Sequence, residues 1–359
     1  MKSRFCLLVL VVLIAVPAFA QNVPEIPYES VPDFLKYPAE MNLGELSGVA
    51  VNSQGHVFAL SRSNISGPAF GALATQLLEF DKDGKYIREI GKGLYGFVFG
   101  HNVRVDRADN VWVVDKGSNM VVRFNPLGHV TMTLGRKEEN VHEHEYPERA
   151  KAVHVDGYFA EPTDIAWDSA GNMFISDGYI NSRVAKVNKD GEWVKSFGTA
   201  GNGPGQFNTP HNIGIDRNNN VYVADRGNAR IQVFDTDGNF QRQIKINIPA
   251  PPGTVATLGN TTNPPGGTQS AGATWTICIT NGPTQYLYTS DSFPGRIYKL
   301  TLDGKVVGML GKGGRQLGQF NWIHELACPS ENELIVADLN NWRVQKLILH
   351  PEKQTSSRD

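Results

Sequence analysis

A chain of 359 residues carries 34 Lys and Arg against 36 Asp and Glu, a formal net charge of −2. That balance lacks the basic face nucleic-acid binding needs, so no nucleic-acid partner is expected. The length would allow two domains, but an internal repeat along most of the chain argues for one, since repeat folds grow by adding units.

Residues 1–20 join Lys2 and Arg4 to an apolar run from Phe5 to Val16 and the small-x-small triplet Ala18-Phe19-Ala20. This is the pattern of a secretory signal cleaved before Gln21, and its apolar run falls short of the roughly 20 residues that span a bilayer. The mature protein is therefore expected to be secreted or periplasmic, monomeric and without a membrane span. Residues 21–45 precede the first clear repeat. They are expected to complete the last blade and close the ring, because the final copy ends after three strands. The repeats fill 46–349, and 350–359 form a C-terminal tail.

Each copy reads as a short apolar strand, a turn with Asp, Asn or Gly, a second strand ending in Asp, a polar turn, and a third strand opening on Arg and a β-branched residue. The first copy is the most divergent, from Gly48-Val49-Ala50-Val51 to the strand at 57–61 ending in Ser61. The second has Asn-Val-Trp-Val-Val-Asp at 110–115, leading to Val121. The later copies end their second strands at Asp177, Asp225, Asp291 and Asp338, followed by Arg183-Val184, Arg230-Ile231, Arg296-Ile297 and Arg343-Val344. Short strands rich in Val, Ile, Tyr and Phe between Asp-Gly or Asn-Asn turns indicate antiparallel sheet. Their recurrence at about 50 residues indicates an all-β fold, a six-bladed β-propeller.

Two stretches break the rhythm. Residues 136–159 are charged and hold His142, His144 and His154, which the Glu and Lys around them mark as a solvated loop rather than a second metal site. Residues 249–274 are rich in Pro, Gly and Thr and read as a long loop between blades four and five. Outside the signal region the cysteines are Cys278 and Cys328, in the first strands of neighbouring blades. Strands of adjacent blades need not bring two Cα atoms within about 7 Å, so buried free thiols are expected.

His101, His211 and His324 occupy the same place in copies two, four and six, just before or at the start of the first strand. The other copies put Ser47, Thr163 and Thr274 there. A single such histidine would be read as a capped turn. Three on alternate blades lie a third of a turn apart around the channel, and three imidazoles with an open fourth position are the pattern of a catalytic zinc site. Imidazole also suits copper, iron and nickel, but nothing in the sequence points to redox chemistry.

The copies resemble the NHL repeat, from about Leu46 to Leu349. Beyond the repeat, the chain resembles peptidyl-α-hydroxyglycine α-amidating lyases, the enzymes that finish C-terminal amidation of peptides. The resemblance rests on the three histidines, on Ser-Asp-Gly-Tyr-Ile-Asn-Ser-Arg at 176–183, on Arg62 after Ser61 and on Arg226 after Asp225. It implies zinc on His101, His211 and His324, catalysis by Tyr179 with Arg62 beside it, and Arg226 as partner of the substrate carboxylate. It further implies a structural calcium on the carbonyls of Val49 and Val103 and on the residue after the third histidine, here Glu325 in place of the family's Asp. The family's two disulfides would need cysteines where this chain has Ala160 with Ile180 and Tyr222 with Val233. No copper monooxygenase domain is expected ahead of the repeats. The expected substrate is a peptide or small molecule ending in an α-hydroxyglycine-like group. The rival readings are a non-catalytic exported propeller that binds peptides or glycans, and a lactonase-like hydrolase, against which the three-histidine set speaks.

Overall fold

The computed structural model describes residues 23–63, 74–137, 155–257 and 269–353. The expected signal segment, the cluster of His142, His144 and His154, and the centre of the Pro- and Gly-rich loop lie outside the described residues.

Six four-stranded antiparallel sheets form the blades. Blade one comprises Glu45–Val51, Val57–Arg62, Thr75–Phe80 and Tyr86–Ile90. Blade two comprises Gly100–Val105, Val111–Asp115, Met120–Phe124 and Val130–Gly135. Blade three opens at Asp164–Trp167, blade four at Pro210–Ile215, blade five at Cys278–Ile279 and blade six at Ile323–Ser330. Blade six takes its outer strand from the other end of the chain: Tyr28–Ser30 pairs antiparallel with Arg343–Leu349. The ring is closed by hydrogen bonds between its two ends, so that a three-residue strand and not the long Arg343–Leu349 forms the outer edge of blade six.

Burial explains the sequence pattern of the strands. Val111–Asp115, second in its blade, is buried throughout because both faces pack on neighbouring blades, so it reads as a continuous apolar run. Val130–Gly135, outermost, is mostly exposed and alternates with polar residues. Between blades one and two, Phe58, Leu60 and Leu77 pack against Val103, Val113 and Phe124.

The signature Asp and Arg of the repeat prove to be one structural device. Asp177, Asp225 and Asp338 are fully buried and bind Arg183, Arg230 and Arg343 at 3.0, 2.7 and 3.0 Å. In blade two Asp115 instead accepts the backbone N–H groups of Val98, Phe99 and Ser118. These carboxylates tie the loop that enters each blade to the turn inside it, which is why the pair recurs without being catalytic.

The cysteine expectation is corrected. Cys278 and Cys328 form a disulfide, their Cα atoms 6.0 Å apart. Blades five and six bring their opening strands closer than the repeat pattern suggested, because neighbouring inner strands converge toward the channel.

Candidate metal centre and active site

His101, His211 and His324 meet in the central channel, buried, with their ligand atoms within 4.8 Å of one another. Local backbone geometry aims them there. The register between the first and second strands slips between Gly100 and Asn102, between Pro210 and Asn212, and between Ile323 and Glu325. Each histidine is thus the extra residue of a β-bulge, a device that redirects a side chain out of the regular pleat.

The three odd-numbered blades supply the second half of the arrangement. Nδ1 of His101 lies 2.7 Å from the carbonyl of Thr163, Nδ1 of His211 2.9 Å from that of Trp275, and Nδ1 of His324 2.7 Å from that of Ser47. A carbonyl only accepts, so each Nδ1 carries the proton and each Nε2 keeps its lone pair. Burial, followed by neighbouring charges and imidazoles, holds all three well below the ordinary histidine range, so they are neutral at neutral pH. Nε2 of His211 is buried with no hydrogen-bond partner among the described residues. Three neutral, pre-oriented nitrogen donors, one of them orphaned, fit a divalent metal ion. Trp275 stands where the repeat suggested Thr274. Blade five opens on a strand of only two residues, too short to set the alignment.

Tyr179 comes from the loop after the second strand of blade three, and its hydroxyl is 3.3 Å from Nε2 of His101. Nη1 of Arg226 lies 3.4 Å from the same hydroxyl, and its guanidinium stacks 4.2 Å from the Trp275 ring. Nε of Arg226 is buried without a hydrogen-bond partner among the described residues. Arg62 donates to Glu45 at 2.9 Å and to the Gly100 carbonyl at 2.9 Å, and packs 3.9 Å from the Phe99 ring. Burial pushes the Tyr179 phenol up, but Arg226, Lys116 and Arg62 together outweigh it, and the net displacement is below the ordinary value. Arg62, the cation that the resemblance set beside Tyr179, is the smallest of these influences.

Lys116 is the residue sequence reasoning missed. Its Nζ lies 3.7 Å from the Tyr179 ring and 3.0 Å from Glu161. Glu161 is held at a φ of 56°. The signal was present: Lys116 follows Asp115 as Arg226 follows Asp225 and Arg62 follows Ser61. Three cations therefore come from the same turn of blades one, two and four.

Val49 and Val103 lie buried in the opening strands of blades one and two, and Glu325 is buried beside them in the channel. Burial pushes the Glu325 carboxyl up, against the pull of Arg104. The Asp164 carboxylate adds to that rise, while donors from Asn102, Asn212 and Leu326 and the charge of Arg104 oppose it.

The profile of a family described as "DUF5128: 6-bladed beta-propeller" matches residues 159–251. A Caenorhabditis elegans protein named "Probable peptidyl-alpha-hydroxyglycine alpha-amidating lyase pgal-1" is 30% identical over 229 residues, 58% of this chain and 60% of that protein. A Drosophila melanogaster protein named "Peptidyl-alpha-hydroxyglycine alpha-amidating lyase 1" is 27% identical over 74% of this chain and 47% of its own length. Mouse "NHL repeat-containing protein 3" is 30% identical over 51% of this chain and 53% of its own length. The chain thus spans about 60% or less of these relatives. Among solved structures, virginiamycin B lyase from Staphylococcus aureus superposes with a TM-score of 0.54 at 13% identity, covering 91% of this chain and all of that one, a likeness of fold alone. The chain is a six-bladed propeller with homology to amidating lyases and similarity to an NHL repeat-containing protein.

Proposed function

We propose that the protein is an exported, zinc-dependent carbon–nitrogen lyase that splits a peptidyl-α-hydroxyglycine-like carbinolamide into an amide and glyoxylate. The observation that carries this reading is the convergence on one point of three neutral imidazoles, the phenol of Tyr179 and the guanidinium of Arg226. The similarity to named lyases agrees with it.

Three imidazoles are a donor set suited to zinc. When bound, the ion would supply Lewis-acid polarisation of a substrate oxygen. The remaining work falls to the side chains. Arg226, whose Nε has no hydrogen-bond partner among the described residues, pairs with the substrate carboxylate and fixes the hydroxyl-bearing carbon near Tyr179. Tyr179, made more acidic by its cations, takes the hydroxyl proton as general base. The oxygen electrons form the aldehyde of glyoxylate, the carbon–nitrogen bond breaks, and nitrogen takes up a proton to leave as the amide. Atoms and charge balance without an oxidant or reductant. Glu45 and Phe99 hold Arg62 in place, and its charge favours the phenolate.

Export is part of the proposal. It is supported by the signal-like residues 1–20 and by the Cys278–Cys328 disulfide, which persists in oxidising compartments. We take the active unit to be a monomer.

The similarity to NHL repeat-containing protein 3, whose name states no enzymatic activity, favours a second reading, a propeller that binds peptides or glycans without chemistry. The deciding experiment is glyoxylate release from α-hydroxyhippurate by purified protein lacking residues 1–20, with and without a chelator. Chelator-sensitive release is expected. No release from metal-replete protein would transfer the case to the binding propeller.

A further inference from the structure

One residue beyond the histidines, the opening strands contribute a second rank to the channel: Gly48, Asn102, Asp164, Asn212, Thr276 and Glu325. Asp164 accepts from Nδ2 of Asn102 at 2.7 Å, from Arg104 at 2.9 and 2.6 Å, and from the Ile213 N–H at 2.9 Å. Glu325 accepts from Asn102 at 2.7 Å, from Asn212 at 2.6 Å and from the Leu326 N–H at 3.0 Å, and pairs with Arg104 at 3.2 Å. An ionised carboxylate offers about four lone-pair sites. Protein donors hydrogen-bond to all four on Asp164 and to three on Glu325, where Arg104 adds a charge contact at 3.2 Å.

Arg104 is the centre of this network. Its Nη2 also reaches Oδ1 of Asn212 at 2.9 Å and the carbonyl of Ile277 at 3.3 Å. Ile277 is the blade-five counterpart of Val49 and Val103, so the guanidinium meets the same rank of carbonyls on which the expected calcium would rest. Blade one offers no side chain here, because a Cβ on Gly48 would stand 2.7 Å from the Val103 nitrogen. Calcium takes six to eight oxygens at about 2.3–2.6 Å and would need the same lone pairs. The residues as arranged do not fit it.

We propose that Arg104 is a built-in cation standing in place of a structural calcium, joining blades two to six through Asp164, Asn212, Ile277 and Glu325, so that the propeller neither binds nor needs calcium. The arrangement is independent of the lyase reading, since none of these groups reaches Tyr179 or Nε2 of a histidine in the contacts above.

The test is calcium binding and thermal melting of the purified protein, dialysed into calcium-free buffer containing zinc so that the histidine centre stays constant. Wild type is expected to bind no stoichiometric calcium by mass spectrometry and to melt at the same temperature with or without added calcium. Arg104→Ala, which leaves two buried carboxylates without their cation, is expected to melt earlier and to recover part of the loss on calcium addition. Stoichiometric calcium on the wild type, with a higher melting temperature, would overturn the proposal. So would an Arg104→Ala protein as stable as wild type. Should that variant fail to fold, the wild-type binding measurement decides alone.

Discussion

His101 and Tyr179 meet edge-on, their ring centroids 5.5 Å apart and Nε2 3.3 Å from the phenolic oxygen. A metal-ligand candidate from blade two and the proposed proton acceptor from blade three thereby address the same small volume. The contact makes the two functions separable by mutation.

Tyr179→Phe keeps the ring and removes only the hydroxyl. Glyoxylate release should fall by about 10²–10⁴, the usual worth of a positioned general base. Zinc content by mass spectrometry should be unchanged. Full activity in this variant would take Tyr179 out of the chemistry.

Lys116 should act through the phenol rather than on substrate. The base must be ionised, so activity rises with pH, and cations near the phenol move that rise to lower pH. Lys116→Met should shift the rising limb of the kcat profile to higher pH, and Lys116→Arg should largely restore it. An unmoved profile would reduce Lys116 to packing on the Tyr179 ring.

Metal-free protein should lose stability in acid. The folded-state pKa values of His101, His211 and His324 lie well below the ordinary 6.5, so below that pH the unfolded chain binds protons that the fold excludes. This contribution is fully present above about 6.5 and fades as pH falls toward the folded-state values. Melting temperature against pH checks it. His211→Ala should flatten the acid slope and also lose stoichiometric zinc.

The Cys278–Cys328 bridge closes a loop with a sequence separation of 50. Chain entropy assigns such a loop about 4 kcal/mol, and native bridges typically contribute ~2–4 kcal/mol. Denaturant unfolding of Cys278→Ser/Cys328→Ser should show a loss in this range. A variant as stable as wild type would mean that blades five and six are held by their core packing alone.

The repeat, the alternation of the three histidines and the cations after the second strands were legible because each is a matter of spacing along one chain. Asp225 with Arg230 can be seen in the sequence, for their contact at 2.7 Å is made within a single blade. Tertiary structure decided what passes between blades. The carbonyl of Ser47 fixes the tautomer of His324 from the far end of the chain. Asn102 binds Glu325 across 223 positions. Cys278 meets Cys328 because two inner strands converge. Periodicity sets which residues share a rank of the ring, but ring closure and strand convergence set the distances across it. The approach of Arg104 to within 3.2 Å of Glu325 is decided at that level.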